Sequence, residues 1–571
     1  MDRLLQSSEE VRHVDAPGTP PHEHPAEEVA PHEHPAAEAM PHEHPAGAAT
    51  QEHGATSPDA PVVRGVLLTT LVFAGALLFF ARRSLTLAPA ANNPHGGKHN
   101  PGGNPSPAKA GVASGNYPAR KNVLDWPVIG KLLRWRHFNM LLIAPTLLIF
   151  LFIIVVGLFG QQDTSNPAIL LTWILWWPAV IFSFLLLGRI WCMACPFGYM
   201  GDIAQKIFCL QKKVPKIFRN MWWRLGLFLA LTWATTLWAL DRWPWGTAWL
   251  ALSITFGAIA FGLVYEKRAF CRYVCPVGGI FGLYSMTAPV RISVTDQQIC
   301  QHKCATKDCY KACAWWEFAP TMERNLECNL CLDCVRACPY DNVILQVQPI
   351  GTDLADFHPH RRSLDEGATV AAVLGVSLLQ TAVMLNAWQG WQAKIGSLLH
   401  IAPGPFLYTL IFLTLGLVIP TVLFGIVTYL GSPGEERRQD AFRAFRTYAY
   451  AFLPLGLALH AAHNFHHLLG EGEAMVLGVR KALAGYTGWA TLAPANVADA
   501  AAALGPNTMF LLQGLALLGG LYLAFRIGTV AARRYGVSSQ AFRMALPVFL
   551  FAIAYTILNI LILSAPMAHR H

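Results

Sequence analysis

Long apolar runs recur along almost the whole chain, separated by short polar turns. A helix crossing ~30 Å of hydrocarbon needs about 20 apolar residues. Stretches of that kind lie at about 62–81, 138–160, 168–188, 224–240, 246–265, 368–388, 405–430, 447–469, 506–526 and 544–564. The pattern predicts an all-α polytopic membrane protein with about ten transmembrane helices. Residues 1–61 break it with a polar tail. That tail carries three PHEHP copies, at 21–25, 31–35 and 41–45, and too few apolar groups to fold. A Gly/Pro/Asn-rich linker at 82–136 follows the first run. A longer polar insertion separates the fifth and sixth runs.

Composition agrees with the pattern. The chain is 54% hydrophobic and 13% charged, against roughly 25% charged in soluble domains. The net charge of +9 therefore reports orientation and does not suggest a nucleic-acid partner. Lys and Arg gather in alternate loops: Arg82 and Arg83, then Arg189 and Lys206, then Lys267 and Arg268, then Arg437 and Arg438, then Arg526 and Arg533. The intervening loop QQDTSNP has none. Basic loops stay in the cytoplasm. Both termini are then expected outside, in the periplasm of a bacterial inner membrane, with the insertion at 271–350 in the cytoplasm.

Twelve of the thirteen cysteines fall into three tight groups, a spacing that suits metal ligation better than disulfides. CNLCLDCVRACPY places Cys328, Cys331, Cys334 and Cys338 at the C-x2-C-x2-C-x3-C-P spacing of bacterial ferredoxins. In that run three thiolates reach one [4Fe–4S] cube and the fourth reaches its neighbour. A structural zinc site more often shows two separated C-x2-C pairs. Just upstream, Cys300, Cys304, Cys309 and Cys313 form a looser second run. Together the runs predict a small α+β dicluster ferredoxin domain. Cys300, Cys304, Cys309 and Cys338 would hold one cluster, and Cys328, Cys331, Cys334 and Cys313 the other.

The third group is split. GRIWCMACPFG places Cys192 and Cys195 at the cytoplasmic end of the third run. RAFCRYVCPVGG places Cys271 and Cys275 at the same end of the fifth. Each motif reads basic residue, cysteine pair, proline, glycine. The four thiols could bind a further metal centre, act as two redox dithiols, or simply pack. Cys209 reads as a buried thiol.

With paired cysteine–proline motifs at membrane helix ends and a dicluster ferredoxin after them, residues 125–350 resemble the membrane-bound polyferredoxins, the NapH/NosR/CcoG-like 4Fe-4S proteins. The resemblance implies electron transfer between the quinone pool, cytoplasmic clusters and a redox partner protein. It matches Cys192, Cys195, Cys271 and Cys275 to the family's membrane cysteines and the other eight to its cluster ligands. The family's usual pair is C-x3-C-P; Cys271/Cys275 follows it, and Cys192/Cys195 is one residue shorter. The five-helix half at 366–571 lies outside the resemblance.

That half contains ALHAAHNFHHLLGEG, with His460, His463, His466 and His467. At 1.5 Å per residue His460 stands about 20 Å along its helix from Arg446, still within hydrocarbon. His460, His463 and His467 share a helix face, and intramembrane histidines are functional candidates. A b-haem would need a second ligand, for which His400 is the outer-side candidate. A copper or zinc site, a di-iron box and a structural role are the other readings. The PHEHP histidines, His22, His24, His32, His34, His42 and His44, suit Cu, Ni or Zn.

The expected function is that of an iron–sulfur electron-transfer subunit in the membrane, linking a quinone or cytoplasmic reductant to a membrane or periplasmic acceptor. The competing class is a copper-reducing or metal-handling protein using the outer histidines, or a redox-enzyme assembly factor.

Overall fold

The computed structural model of the protein describes residues 57–86, 121–356, 363–431, 437–488, 504–535 and 541–567. The PHEHP histidines lie outside the described residues. All ten apolar runs are helical. Eight of these helices are long and apolar enough to span a membrane: Ala60–Thr86, Phe138–Phe159, Pro167–Leu187, Pro244–Val264, Leu364–Val383, Pro405–Leu430, Pro506–Arg533 and Ala541–Leu563. The fourth run forms the 16-residue helix Trp222–Leu237. The eighth forms the 29-residue helix Arg437–Phe465, whose arginines and histidines dilute its apolar character. Large side chains such as Phe79, Phe159 and Leu186 are 60%, 83% and 66% exposed. Water would penalise that surface and lipid does not.

Local chemistry sets the helix ends. Pro167, Pro244 and Pro405 each open a helix, where the missing N–H costs nothing. The Asn166 side chain caps the first of these by accepting from Ala168 N at 2.8 Å. Two spans contain wide π-turns, Leu170–Trp176 and Phe412–Val418. Pro178 and Pro420 follow these turns closely. A proline cannot donate to the preceding turn and its ring crowds that carbonyl, so the helix widens there.

The helix Arg437–Phe465 is the axis of the C-terminal half. Ala449, Tyr450, Leu459 and Ala462 on it are at most 1% exposed. Small residues let its neighbours close in: a Cβ on Gly520 would fall 2.6 Å from Ala458 Cβ and 2.9 Å from Pro454 O. Without a hydrophobic force between helices in lipid, this close approach is what holds them.

Between the spans lies the cysteine-rich insertion. Its sheet has two antiparallel strands, β1 (Val290–Val294) and β2 (Val343–Val347), with Ile292 opposite Leu345. Ile292, Val294, Val343 and Leu345 make its core with Leu330, Leu332 and Val335 from the cysteine loops. Leu124 joins that core from the chain ahead of the second span. Val347 N donates to Lys121 O at 2.8 Å, so the end of the linker is a lid on the sheet.

Candidate redox centre

The insertion hangs its cysteines on two short turns and two short helices. Cys300 lies in the turn Ile299–Lys303, with Cys304 at its end. Cys309 lies on the helix Asp308–Ala312, with Cys313 at its C-cap. Cys328 follows the turn Asn325–Glu327, Cys331 follows three residues on, Cys334 lies on the helix Asp333–Arg336, and Cys338 ends the run. Leu330 and Leu332 hold the tight loop at φ 52° and 61°. This left-handed backbone costs a leucine roughly 1–2 kcal/mol, and such strain gathers at functional loops.

The side chains fall into two sets. Cys309 interacts electrostatically with Cys338, Cys300 and Cys304. Cys334 does so with Cys331, Cys328 and Cys313. The two sets adjoin where Cys334 also reaches Cys309. Burial first, then repulsion from neighbouring thiolates, pushes Cys309 up to about 11. Burial pushes Cys328 up to about 12, and Cys331 and Cys334 well above the usual thiol value. Thiols that repel one another as thiolates call for a cation, which reverses this penalty.

The donors around the sulfurs fit that requirement. Trp315 N and Glu317 N donate to Cys313 Sγ at 3.4 and 3.3 Å. Leu330 N donates to Cys328 Sγ at 3.4 Å, and Asn342 Nδ2 to Cys300 Sγ at 3.1 Å. Such N–H···S bonds favour thiolate and tune an iron–sulfur potential. Among the described residues no three His, Cys, Asp or Glu side chains converge on one ion position. A cube holds its four thiolates further apart than the ~2.3 Å bonds of a mononuclear zinc allow.

The third set forms at the membrane end. Cys192 sits on Trp191–Ala194 and Cys195 caps it. Cys271 sits on Ala269–Tyr273, and Cys275 follows. All four come together: Cys271 interacts with Cys275, Cys195 and Cys192. Burial, then the neighbouring thiols, pushes Cys195 up to about 11 and Cys275 up to about 12. The glycine three residues after each second cysteine permits the approach. A Cβ on Gly198 would lie 3.4 Å from Cys271 Sγ, and one on Gly278 would lie 3.2 Å from Cys275 Cβ.

Two arginines serve this site. Arg189 is 1% exposed. Its Nε donates to Cys192 Sγ at 3.3 Å and its Nη1 to Leu326 O at 2.8 Å. Its guanidinium lies 4.2 Å over the Trp315 ring. It therefore bridges the membrane cysteines and the loop leading to Cys328. Arg268 pairs with Asp202 at 2.5 Å and donates to Cys192 O at 3.2 Å. As loop charges these arginines reported only orientation. The signal for their role is that each stands three residues before a cysteine pair.

A cavity of ≈ 1280 Å³ opens beside this site. Cys192, Cys195, Cys271 and Cys275 line it, and so do His460, His463, Asn464 and His467. The histidines thus share a chamber with the cysteines. His460 is held at both ring nitrogens, by Tyr284 Oη at 2.6 Å and Ser377 Oγ at 3.0 Å. A neutral ring so engaged has no lone pair left for a metal or haem iron. Nε2 of His463 and His467 lie 3.1 Å apart, and His467 Nδ1 lies 3.2 Å from Glu471 Oε2. His400 is exposed at the end of Trp388–Leu399 and does not line the chamber. Glu471, Tyr284 and Ser377 were not singled out by sequence; only the i, i+4 step from His467 to Glu471 signals one of them.

Spans, inserted sheet and cysteine sets define a polytopic iron–sulfur membrane protein. Residues 169–217 and 247–292 match the 4Fe-4S binding domain family Fer4_5, and these segments are the two helix-plus-cysteine-pair motifs. The ferredoxin-type protein NapH of Haemophilus influenzae is 24% identical over 24% of this chain and 50% of its own length. The methylamine utilization ferredoxin-type protein MauN of Paracoccus denitrificans is 27% identical over 27% of this chain and 62% of its own. The putative electron transport protein YccM of Escherichia coli is 34% identical over 16% of this chain and 25% of its own. The chain thus spans about half to two thirds of the first two relatives. Over this module it is membrane polyferredoxin-like, at low identity. No solved structure matches.

Proposed function

We propose that this protein carries electrons between a membrane quinol and iron–sulfur centres on the cytoplasmic face of a bacterial inner membrane, and from there to a redox partner protein. The observation that carries this reading is the chamber of ≈ 1280 Å³, walled by apolar spans and reaching the four membrane cysteines. It is roomy enough for a quinone ring and the start of its tail, since ordinary ligand sites occupy roughly 300–1,000 Å³. Trp173, Trp176 and Trp177 offer aromatic walls. Gln380, Gln389 and Gln392 offer polar groups for a headgroup.

Cys300, Cys304, Cys309 and Cys338 hold one [4Fe–4S] cluster; Cys313, Cys328, Cys331 and Cys334 hold the second. Cys192, Cys195, Cys271 and Cys275 hold a further centre beside the chamber. Such clusters supply reversible one-electron chemistry. The chain's own groups bury the sulfurs, donate N–H bonds to them and place Arg189 against the membrane set. The Lys and Arg bias supports a cytoplasmic cysteine end.

The test uses anaerobically purified full-length protein, mixed with menaquinol or ubiquinol and followed by cluster absorbance and EPR. Reduction by either quinol, with more than eight irons per chain if the third site is loaded, is the expected result. Clusters that dithionite reduces and neither quinol reduces would sink the quinol reading.

A further inference from the structure

A quinol oxidised in the chamber must lose two protons as well as two electrons. The cysteine end handles only the electrons. The helices beyond Leu364, which the family match does not reach, carry a second chain of groups into the same chamber.

His463 lines the chamber. Its Nε2 lies 3.1 Å from His467 Nε2, and His467 Nδ1 lies 3.2 Å from Glu471 Oε2. Residues 463, 467 and 471 step by four along the chain, one face of a helix. His467 and Glu471 are each 2% exposed. The backbone widens into a π-turn over His466–Gly470, a distortion that often marks functional positions.

With Glu471 ionised, the bonds give the protons one direction. A carboxylate only accepts, so His467 Nδ1 then carries the hydrogen and donates to Glu471. His467 Nε2 then accepts from His463 Nε2–H. A proton arriving at His463 Nδ1 displaces the Nε2 proton to His467, whose Nδ1 proton passes to Glu471. Beyond Glu471 the chain surfaces at exposed Glu473.

Among the described residues, few other charges face this chain. The adjoining turn Leu170–Trp176 has no titratable residue. The helix Gly472–Thr487 brings Glu473, Arg480 and Lys481, all exposed. The helix Pro506–Tyr535 presents Gln513, whose Nε2 donates to Ala462 O at 2.9 Å. Across the chamber stand Asp241, Arg242 and His460.

We propose that His463, His467 and Glu471 form a proton exit for the quinol site, opening on the membrane face opposite the ferredoxin insertion. The proposal rests on the quinol reading. In each turnover both quinol O–H bonds break and two C=O bonds form. Two electrons leave, one at a time, to the iron–sulfur acceptor. Two protons leave in succession through His463.

The test is single-turnover reduction of the loaded, full-length protein by menaquinol or ubiquinol, read by stopped-flow absorbance with a pH dye. Glu471→Gln and His467→Gln should slow quinol-driven reduction by about 10²-fold, the usual weight of a positioned acid–base group. Both should lose the dye signal at that rate. Dithionite reduction and iron content should stay at the wild-type level, which separates a broken relay from a misfolded chain. Glu471→Asp, which keeps a carboxylate, should restore much of the rate. Wild-type rates and dye signals in both Gln variants, with quinol oxidation intact, would overturn the relay alone. Wild-type protein that no quinol reduces would remove the quinol reading and the relay with it.

Discussion

Replacing Arg189 with glutamine removes a buried cation whose Nε lies 3.3 Å from Cys192 Sγ. Reducing an iron–sulfur centre adds a negative charge, which a nearby cation stabilises. The added charge spreads over the centre, so the relevant separation is longer than the hydrogen bond, about 6 Å. At an effective dielectric of ~20 the interaction is roughly 3 kcal/mol. For a one-electron couple this equals about 120 mV, at 59 mV per tenfold change. Arg189 also interacts with Glu327, whose carboxylate Arg224 holds at 3.0 Å. Relaxation of the site and water entering it screen part of the loss, so a fall of about 50–120 mV is expected. The assay is an EPR-monitored redox titration of the loaded protein, with iron content as the control for assembly. Arg189→Lys keeps the charge but not the fork to Leu326 O, and should lie between the two. A potential that stays within error of wild type, or rises, in fully loaded Arg189→Gln would refute the electrostatic reasoning.

Other perturbations separate the three cysteine sets. Cys338→Ser should cost the signal shared with Cys300, Cys304 and Cys309, whereas Cys313→Ser should cost the other; iron analysis with EPR checks which signal goes. Gly278→Val would drive side-chain atoms toward Cys275 Cβ and Cys271 O, at 3.2 and 3.1 Å from the position of its Cβ. Overpacking of that kind costs typically about 1–3 kcal/mol, so the membrane centre should be lost while both ferredoxin signals persist. The pH dependence of iron-free protein follows from the thiols. Cys309 and Cys328 are raised to about 11 and about 12, against ~8.5 in an unfolded chain. Between these values the folded state binds more protons, so stability of the iron-free protein should fall as pH rises above ~8.5. Denaturant titrations at pH 7.5 and 9.5 measure this. Iron loading needs the thiolates and should improve over the same interval.

The membrane helices were legible because hydrocarbon imposes a length and a composition that no tertiary contact overrides. The run at 224–240 is a 16-residue helix, and the histidine-bearing run 447–469 lies in a helix too polar to qualify by hydropathy. Its burial among other helices makes up the difference. The grouping of Cys328 to Cys338 was legible because their close spacing keeps them on one short loop. The convergence of Cys192 with Cys271 was less so. It depends on Gly198 and Gly278 lying against the opposite motif or its arginine, which no count along the chain reveals. Tyr284 and Ser377 were not legible at all. They are 176 and 83 residues from His460; Tyr284 reaches it from the short buried helix Gly278–Ser285, which turns into the bundle, and Ser377 from the span Leu364–Val383.

That turn gives the histidine helix its division of labour. Burying a polar side chain among apolar spans without partners costs several kcal/mol. His460 escapes this by closing both its nitrogens onto Tyr284 and Ser377, and so ties the cysteine-bearing half of the molecule to the C-terminal half. One turn further on, His463 and His467 bond to each other, and His467 to Glu471. A ring locked by two hydroxyls orients helices. A pair of rings ending on a buried carboxylate can pass a proton and reset, because each member is both acceptor and donor in turn. The same short stretch therefore supplies a structural joint and a mobile proton within one chamber. Separating the two by substitution, His460 against His467, distinguishes a loss of packing from a loss of proton transfer.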